Sequence, residues 1–297
     1  MKIPPPKPFL KWAGGKRWLG AAIALLLGDR PQRYCEPFLG GGAVFLALNP
    51  RTALLSDASK DLINCYDIVR NQPERVIRRL ARLRVNRRIF MTMRRDKASD
   101  ALSKATRFLY LNRTAFNGLF RVNQQGAFNV PFGCKPGTTS CDASAIRTFS
   151  RRLQKTRLIA SDFRLSLAAV RAGDVVYADP PYTVMHNNNA FRRYNERLFS
   201  WSDQLALADA TNRLARLGAR VVLTNACHPS VTALYHRDLF VRATVRRPSN
   251  VAADSDYRCF AYELLLLSRS IVDDEEYLGE VLLDLGLAQR RRAIEKQ

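Results

Sequence analysis

Five short apolar runs, each stopped by a turn signal, constrain this chain more than any other feature. Tyr34 to Phe38 ends in Leu39-Gly40-Gly41-Gly42, and Ala53-Leu54-Leu55 ends at Ser56-Asp57. Leu158-Ile159-Ala160 ends at Ser161-Asp162, Asp174 to Ala178 at Asp179-Pro180-Pro181, and Arg220 to Leu223 at Thr224-Asn225. Runs this short and this apolar read as strands covered on both faces, the habit of parallel sheets. Helical patterns stand between them: Ala43 to Leu48, Leu62 to Val69, and Ser202 to Leu217 with Ser202 as its expected N-cap. Phe260 to Ser268 adds a late, strongly apolar strand. Together these predict a βαβ domain of the α/β class.

The rhythm breaks near residue 70 and resumes near Arg157. The gap of about 90 residues is too long for an ordinary loop, so it reads as an inserted module. The expected division is 1–69 for the first part of the main domain, 70–156 for the insert and 157–297 for the second part. Arg75, Arg78, Arg79, Arg82, Arg84, Arg87, Arg88, Arg94 and Arg95 occur in the insert with no acid between them. Val76, Leu80 and Leu83 give this stretch a helical face, and Arg107 to Thr114 continues as helix. Leu119 to Asn123 and Ala127 to Val130 read as two strands about a Gln124-Gln125-Gly126 turn. The chain carries 48 Lys and Arg against 26 Asp and Glu, a formal net charge of +22, with 47% hydrophobic residues. That hydrophobic fraction excludes a disordered basic tail. A folded chain this basic suits a polyanion partner; a solvated charged surface is the blander, less favoured alternative.

The six cysteines form no C-x-x-C pair, and no Cys/His spacing resembles a zinc site. Reduced thiols, a cytoplasmic location, and no metal are expected. The apolar run Trp18 to Gly28 follows Lys11, Lys16 and Arg17 and imitates a signal peptide. No small-x-small cleavage site follows, and the run is shorter than the ~20 residues that span a bilayer. A buried helix after the Gly14-Gly15 turn fits better.

Two constellations carry chemistry. The loop Glu36-Pro37-Phe38-Leu39-Gly40-Gly41-Gly42 follows a strand and opens a helix, so backbone can approach a ligand closely. It lacks the third glycine of the dinucleotide fingerprint, since Phe45 stands there, and no Walker lysine is present. It therefore suits an adenosine ligand without phosphates, and would serve equally as a structural turn. Asp57, ending the next strand, is placed to accept hydrogen bonds from ribose hydroxyls. In Asp179-Pro180-Pro181-Tyr182 the prolines hold the turn rigid and remove two N–H donors. Asp179 and the Pro180 carbonyl can then accept from one –NH2 group, and Tyr182 offers a flat face on which a base can stack. A capped Pro-Pro turn is the plainer alternative.

In order and content these motifs resemble the α group of the Dam-type, D12 class DNA adenine-N6 methyltransferases, from about Phe9 to about Leu267. Phe9-Leu10-Lys11-Trp12-Ala13-Gly14-Gly15-Lys16 resembles the family's N-terminal cofactor motif. Glu36 to Phe45 resembles its S-adenosylmethionine loop, Asp57 its ribose acid, and Asp162-Phe163 the segment flanking the cofactor adenine. Asp179-Pro180-Pro181-Tyr182 resembles its catalytic motif. The resemblance implies a Rossmann-like S-adenosylmethionine-dependent methyltransferase sheet with an inserted, mainly helical target-recognition domain carrying a β-hairpin. It also implies Trp12, Gly14, Lys16, Glu36, Pro37, Phe38, Gly40, Gly42, Asp57, Asp162, Phe163 and Asp179 around the cofactor. Tyr110 to Asn123 and Gly126 to Gly133 are similar to the family's recognition region, which implies DNA contacts by Lys11, Arg113, Phe116, Asn117, Leu119, Arg121 and Pro131. Phe116 stands where the family usually has tyrosine, so stacking survives while a phenolic contact is lost.

The expected reaction is direct methyl transfer to the N6 amine of an adenine flipped out of double-stranded DNA, at GATC or a relaxed version of it, by a monomer needing no metal. An RNA or protein amide methyltransferase, and a catalytically silent DNA-binding relative, are the alternatives. Membership of a restriction-modification pair, a prophage or a housekeeping system stays open. His186, His228 and His236 are too dispersed for a triad. His186-Asn187-Asn188-Asn189 is expected to begin a loop over the active site, and Arg247 and Arg258 to lie around another loop near the sheet edge, placed to touch DNA phosphates. Leu278, Val281, Leu282 and Leu285 suggest one amphipathic helix in the tail, which ends in the basic run Arg290-Arg291-Arg292.

Overall fold

The structure, a computed structural model, describes residues 6–123, 127–134, 136–183, 199–247 and 261–288. The Gln124-Gln125-Gly126 turn, the segment from His186 to Asn189, Arg258 and the basic run Arg290 to Arg292 lie outside the described residues. Two compact units divide the chain: Met1–Ala24 with Arg30–Ser166, and Leu25–Asp29 with Leu167–Gln297. The insert falls within the first unit.

The first unit contains α1 (Arg17–Leu27) up to Ala24, β1 (Arg33–Glu36), α2 (Ala43–Leu48), β2 (Thr52–Asp57), α3 (Lys60–Asn71), α4 (Pro73–Ala81), α5 (Arg87–Arg95), α6 (Ala101–Thr114), α7 (Ala143–Leu153), β3 (Thr156–Ala160) and the start of α8 (Phe163–Ala168). β2 pairs in parallel with β1 and β3, with Tyr34 opposite Ala53 and Leu55 opposite Leu158. The run that imitated a signal peptide is α1, burying Leu19, Ala22, Ile23 and Leu27 along one face. No described helix is long and apolar enough to cross a membrane.

The arginine run is not one helix. Pro73 opens α4 at a position where its missing N–H costs nothing. Asn86 accepts from the Ile89 N–H and starts α5 afresh. Leu83, expected on the apolar face, lies past the end of α4. Val76, Ile77, Leu80 and Phe90 are buried instead. The expected hairpin is also reduced. Val122 bridges Phe128 and Ala115 bridges Phe132, each as an isolated antiparallel bridge rather than part of a strand. The Asn123 N–H donates to the Ala127 carbonyl and the Asn129 N–H to the Arg121 carbonyl.

The second unit contains β4 (Val175–Ala178), α9 (Trp201–Arg216), β5 (Arg220–Ala226), α10 (Pro229–Thr232), β6 (Phe240–Arg247), β7 (Ala261–Ser268) and α11 (Glu275–Asp284). β4 pairs in parallel with β5, while β7 pairs antiparallel with both β5 and β6. All four residues of β4 are buried, as the apolar run requires. The strand order is β3-β2-β1 in the first unit and β4-β5-β7-β6 in the second.

Two expectations in this unit need correcting. α9 is capped by Ser200, not Ser202: the Ser200 hydroxyl accepts from the Asp203 N–H while Asp203 accepts from the Ser200 N–H. Arg247 is the last residue of edge strand β6. β6 escaped notice because its Arg242, Arg246 and Arg247 blur the strand pattern; at the sheet edge such charges discourage further pairing. In the tail helix α11, Leu278 and Leu282 are buried, but Leu285 caps the end and is exposed.

Candidate active site and recognition surface

In the first unit, the glycine loop closes β1 and leads into α2. The Gly40 peptide is gripped on both sides: its N–H donates to Asp57 Oδ2 at 3.0 Å, and its carbonyl accepts from the Tyr66 hydroxyl at 2.8 Å. Asp57 Oδ1 accepts from the Ser59 N–H at 2.9 Å, so each carboxylate oxygen keeps a lone pair for another donor. Burial pushes the Asp57 carboxyl above the ordinary carboxylate range, against the pull of these two N–H groups. Glu36 is buried and accepts from the Tyr34 hydroxyl at 2.8 Å. Gly42 caps α2 in the left-handed region, with φ 63°. After Pro37, the Phe38 ring stacks on Phe163 at 5.3 Å. Asp162 pairs with Arg164 at 3.0 Å, and the Arg164 guanidinium covers the Phe163 ring.

The N-terminal motif lies against the same loop. The Trp12 indole covers Gly40 so closely that a Cβ there would fall 2.8 Å from Trp12 Cδ1. Lys16 is buried and donates to the Gly14 carbonyl at 2.9 Å. The structure thus gathers Trp12, Gly14, Lys16, Gly40 and Asp57 around one loop, with Phe38, Asp162 and Phe163 forming a neighbouring aromatic patch. Ser161 Oγ, beside that patch, is buried and has no hydrogen-bond partner among the described residues. An orphaned hydroxyl at this place, with the spare lone pairs of Asp57, fits a polar ligand carrying a flat ring.

In the second unit, Asp179 follows buried β4, and Pro180 is buried beside it. The Thr224 hydroxyl donates to Asp179 Oδ1 at 2.8 Å. Thr224 has one hydroxyl hydrogen, so its 3.1 Å contact with the Tyr177 hydroxyl must be a bond that Tyr177 donates. The Tyr182 hydroxyl also reaches Asp179 Oδ1, at 3.5 Å. Burial pushes Tyr182 well above the usual phenol range, and the nearby Asp179 and Glu263 carboxylates add to the shift. It therefore stays a neutral phenol. Glu263, buried on β7, pairs with Arg247 of β6 at 3.0 Å. Sequence reading missed Tyr66, Tyr177, Thr224 and Glu263. Each looks like an ordinary core or strand residue until its partner is known.

The expected DNA-contacting residues form a surface of the first unit. Lys11, Phe116, Asn117, Leu119, Arg121 and Pro131 are all exposed. Phe116 and Leu119 expose 51% and 38% of their surface, unusual for large apolar side chains on one short turn. Phe116 and Pro131 are joined by a 2.9 Å bond from the Phe116 N–H to the Pro131 carbonyl. Arg121 Nε donates to Asn129 Oδ1 at 2.9 Å, which fixes the guanidinium and leaves the Nη donors to their own partners. Arg113 differs from the others: its guanidinium donates to the Thr139 carbonyl and hydroxyl.

Parallel strands with a glycine turn closing β1 and an acid closing β2 in the first unit, and Asp-Pro-Pro-Tyr following parallel β4 in the second, define the class: a Rossmann-like α/β protein. Residues 12–250 match the D12 class N6 adenine-specific DNA methyltransferases. The type II methyltransferase M1.LlaDCHI of Lactococcus lactis subsp. cremoris is 35% identical over 77% of this chain and 84% of its own length. The DNA adenine methylase of Vibrio cholerae is 35% identical over 74% of this chain and 81% of its own. That of Escherichia coli K12 is 31% identical over 88% and 95%. The chain belongs to the D12 class N6 adenine-specific DNA methyltransferase family.

Proposed function

We propose that this methyltransferase moves a methyl group from S-adenosylmethionine to the N6 amine of an adenine flipped out of duplex DNA, at GATC or a relaxed GATC-like site. The observation that carries this reading is the Asp179-Pro180-Pro181-Tyr182 turn, with Asp179 Oδ1 already engaged by Thr224. An amine that donates to Asp179 and to the Pro180 carbonyl is held with its lone pair available for attack, and Tyr182 gives the base a face to rest on. When bound, S-adenosylmethionine supplies an electrophilic methyl on a sulfonium, whose thioether is a good leaving group. Asp57 would accept from its ribose hydroxyls. Phe38, Asp162 and Phe163 would flank its adenine, and Trp12, Gly14, Lys16, Glu36, Pro37, Gly40 and Gly42 would shape the loop beside it. The attacking amine loses its proton late, to water by way of Asp179.

On the recognition surface, Lys11 and Arg121 supply cations for base edges. Arg121 can donate twice to guanine, worth about 1–3 kcal/mol of discrimination. Phe116 and Leu119 are wedges for the gap left by the flipped base, Asn117 and Pro131 border it, and Arg113 shapes the adjoining loop. Residues 70–156 serve as the target-recognition part, and residues 1–69 and 157–297 as the catalytic part.

Sequencing of modified adenines in DNA from a methylation-free host expressing the protein tests this. The expected result is N6-methyladenine in one short motif. Asp179→Ala should abolish the modification while leaving cofactor affinity largely intact. Absence of N6-methyladenine, or its persistence in that variant, would overturn the mechanism. Labelled methyl transfer to tRNA and protein, run in parallel, excludes those acceptors when it yields no label.

A further inference from the structure

Asn112 is 1% exposed and sits near the end of α6. Its amide makes three bonds. Oδ1 accepts from the Lys11 N–H at 3.0 Å, and Nδ2 donates to the Lys11 carbonyl at 2.7 Å and to the Gly118 carbonyl at 3.0 Å. Both amide hydrogens are thereby used. One side chain on a rigid helix therefore fixes the Lys11 backbone from both directions and ties it to the Phe116–Gly118 turn. Gly118 has φ +67°, and a Cβ on it would lie 2.7 Å from Lys11 Cβ, so the lysine stem lies directly across the turn. The exposed Lys11 is thus held beside the exposed Phe116 and Leu119. The next residue, Trp12, covers Gly40 of the cofactor loop and stacks on Phe108 of α6 at 6.3 Å.

We propose that Asn112 is a positioning residue for site reading, holding the Lys11 cation and the Phe116–Leu119 turn in one fixed arrangement on the segment that also covers the glycine loop. This rests on the reading of that surface as the DNA reader. Only a primary amide of this length meets the demand. An aspartate in its place would offer no donor and would set a charge against two carbonyl oxygens, where water cannot repair the loss.

The test first determines the motif that the parent protein methylates. kcat/KM is then measured on that site and on duplexes with one base pair changed, for the parent and for Asn112→Asp. The expected result is a loss of preference of about tenfold or more at one position at least, the size of one base contact. Affinity for S-adenosylhomocysteine should stay within about twofold, and this readout reports folding. Lys11→Ala combined with Asn112→Asp should lose no more preference than the more damaging of the two changes alone, because the Lys11 contact is among those that Asn112 holds in place. If Asn112→Asp no longer binds S-adenosylhomocysteine, the uncharged Asn112→Ser answers the same question. A variant that binds S-adenosylhomocysteine and keeps the parent's preference overturns the role of Asn112 and leaves the proposed function standing. A parent that methylates no motif overturns both.

Discussion

At the residue scale, the chemistry of the second unit depends on how one carboxylate is aimed. Asp179 Oδ1 is held by Thr224, whose oxygen is itself held by Tyr177, and both hydroxyl-bearing residues are buried. Replacing Thr224 by valine keeps the shape but removes both bonds, so Asp179 Oδ1 loses the 2.8 Å hydrogen bond that aims it. Misplacement of this kind costs much in rate and little in binding. Thr224→Val should lower kcat about ten- to a hundredfold with KM for cofactor little changed, and Thr224→Ser should restore most of it. Single-turnover kinetics on duplex DNA would show this, and a parent-like rate in the valine variant would remove Thr224 from the mechanism. The aspartates at strand ends could be read from the sequence because a carboxylate after an apolar run has few structural uses. Thr224, Tyr66 and Asn112 could not. A threonine in a strand, a tyrosine and an asparagine in helices are unremarkable, and their meaning comes from partners 45, 26 and 101 positions away.

At the element scale, every strand except β6 was legible, whereas the helix ends and the hairpin were not. Apolar runs closed by a turn signal, glycine after β1, Ser-Asp after β2, Asp-Pro-Pro after β4 and Thr-Asn after β5, marked these strands, because burial on both faces leaves little choice of residue. Helix starts are decided by a single side chain, and Ser200 and Ser202 both qualify on type. Only the reciprocal bond to Asp203 selects Ser200. Ser200→Ala should therefore destabilise the protein by about 1 kcal/mol, seen as a lower midpoint in thermal or urea unfolding. Ser202→Ala should leave the midpoint within experimental error. The reverse ranking would return the cap to Ser202. The hairpin was over-read for a related reason. Alternation around Gln124-Gln125-Gly126 predicts pairing, and pairing is present, but only as single bridges. Its aromatic residues pack across rather than along it: Phe120 lies 4.1 Å from Phe108 and 5.2 Å from Phe128, centroid to centroid.

At the scale of the whole molecule, the excess of 48 basic over 26 acidic residues poses the question of what the positive field is for. α4 gives it a definite shape. Val76, Ile77 and Leu80 turn inward, so Arg75, Arg78, Arg79 and Arg82 line the other face at helical spacing. Arg75 reaches Gln72, and Arg79 reaches Ser103 of α6; Glu74 lies near Arg78 and Asp100 near Arg79, and four arginines against two carboxylates leave the stripe positive. Two explanations remain, a phosphate-binding stripe and a solvated helix face, and ionic strength separates them. Each phosphate neutralised contributes about 0.9 to the slope of log affinity against log salt for duplex DNA. Replacing all four arginines by glutamine should reduce that slope by about 3 to 4 if the stripe meets DNA. The preference for the methylated motif should be nearly unchanged, because phosphate contacts carry no base information. Titrations of a labelled duplex at several salt concentrations measure both quantities. An unchanged slope would assign the stripe to solvation and leave the reading of DNA to Lys11, Arg121 and the turn between Phe116 and Leu119.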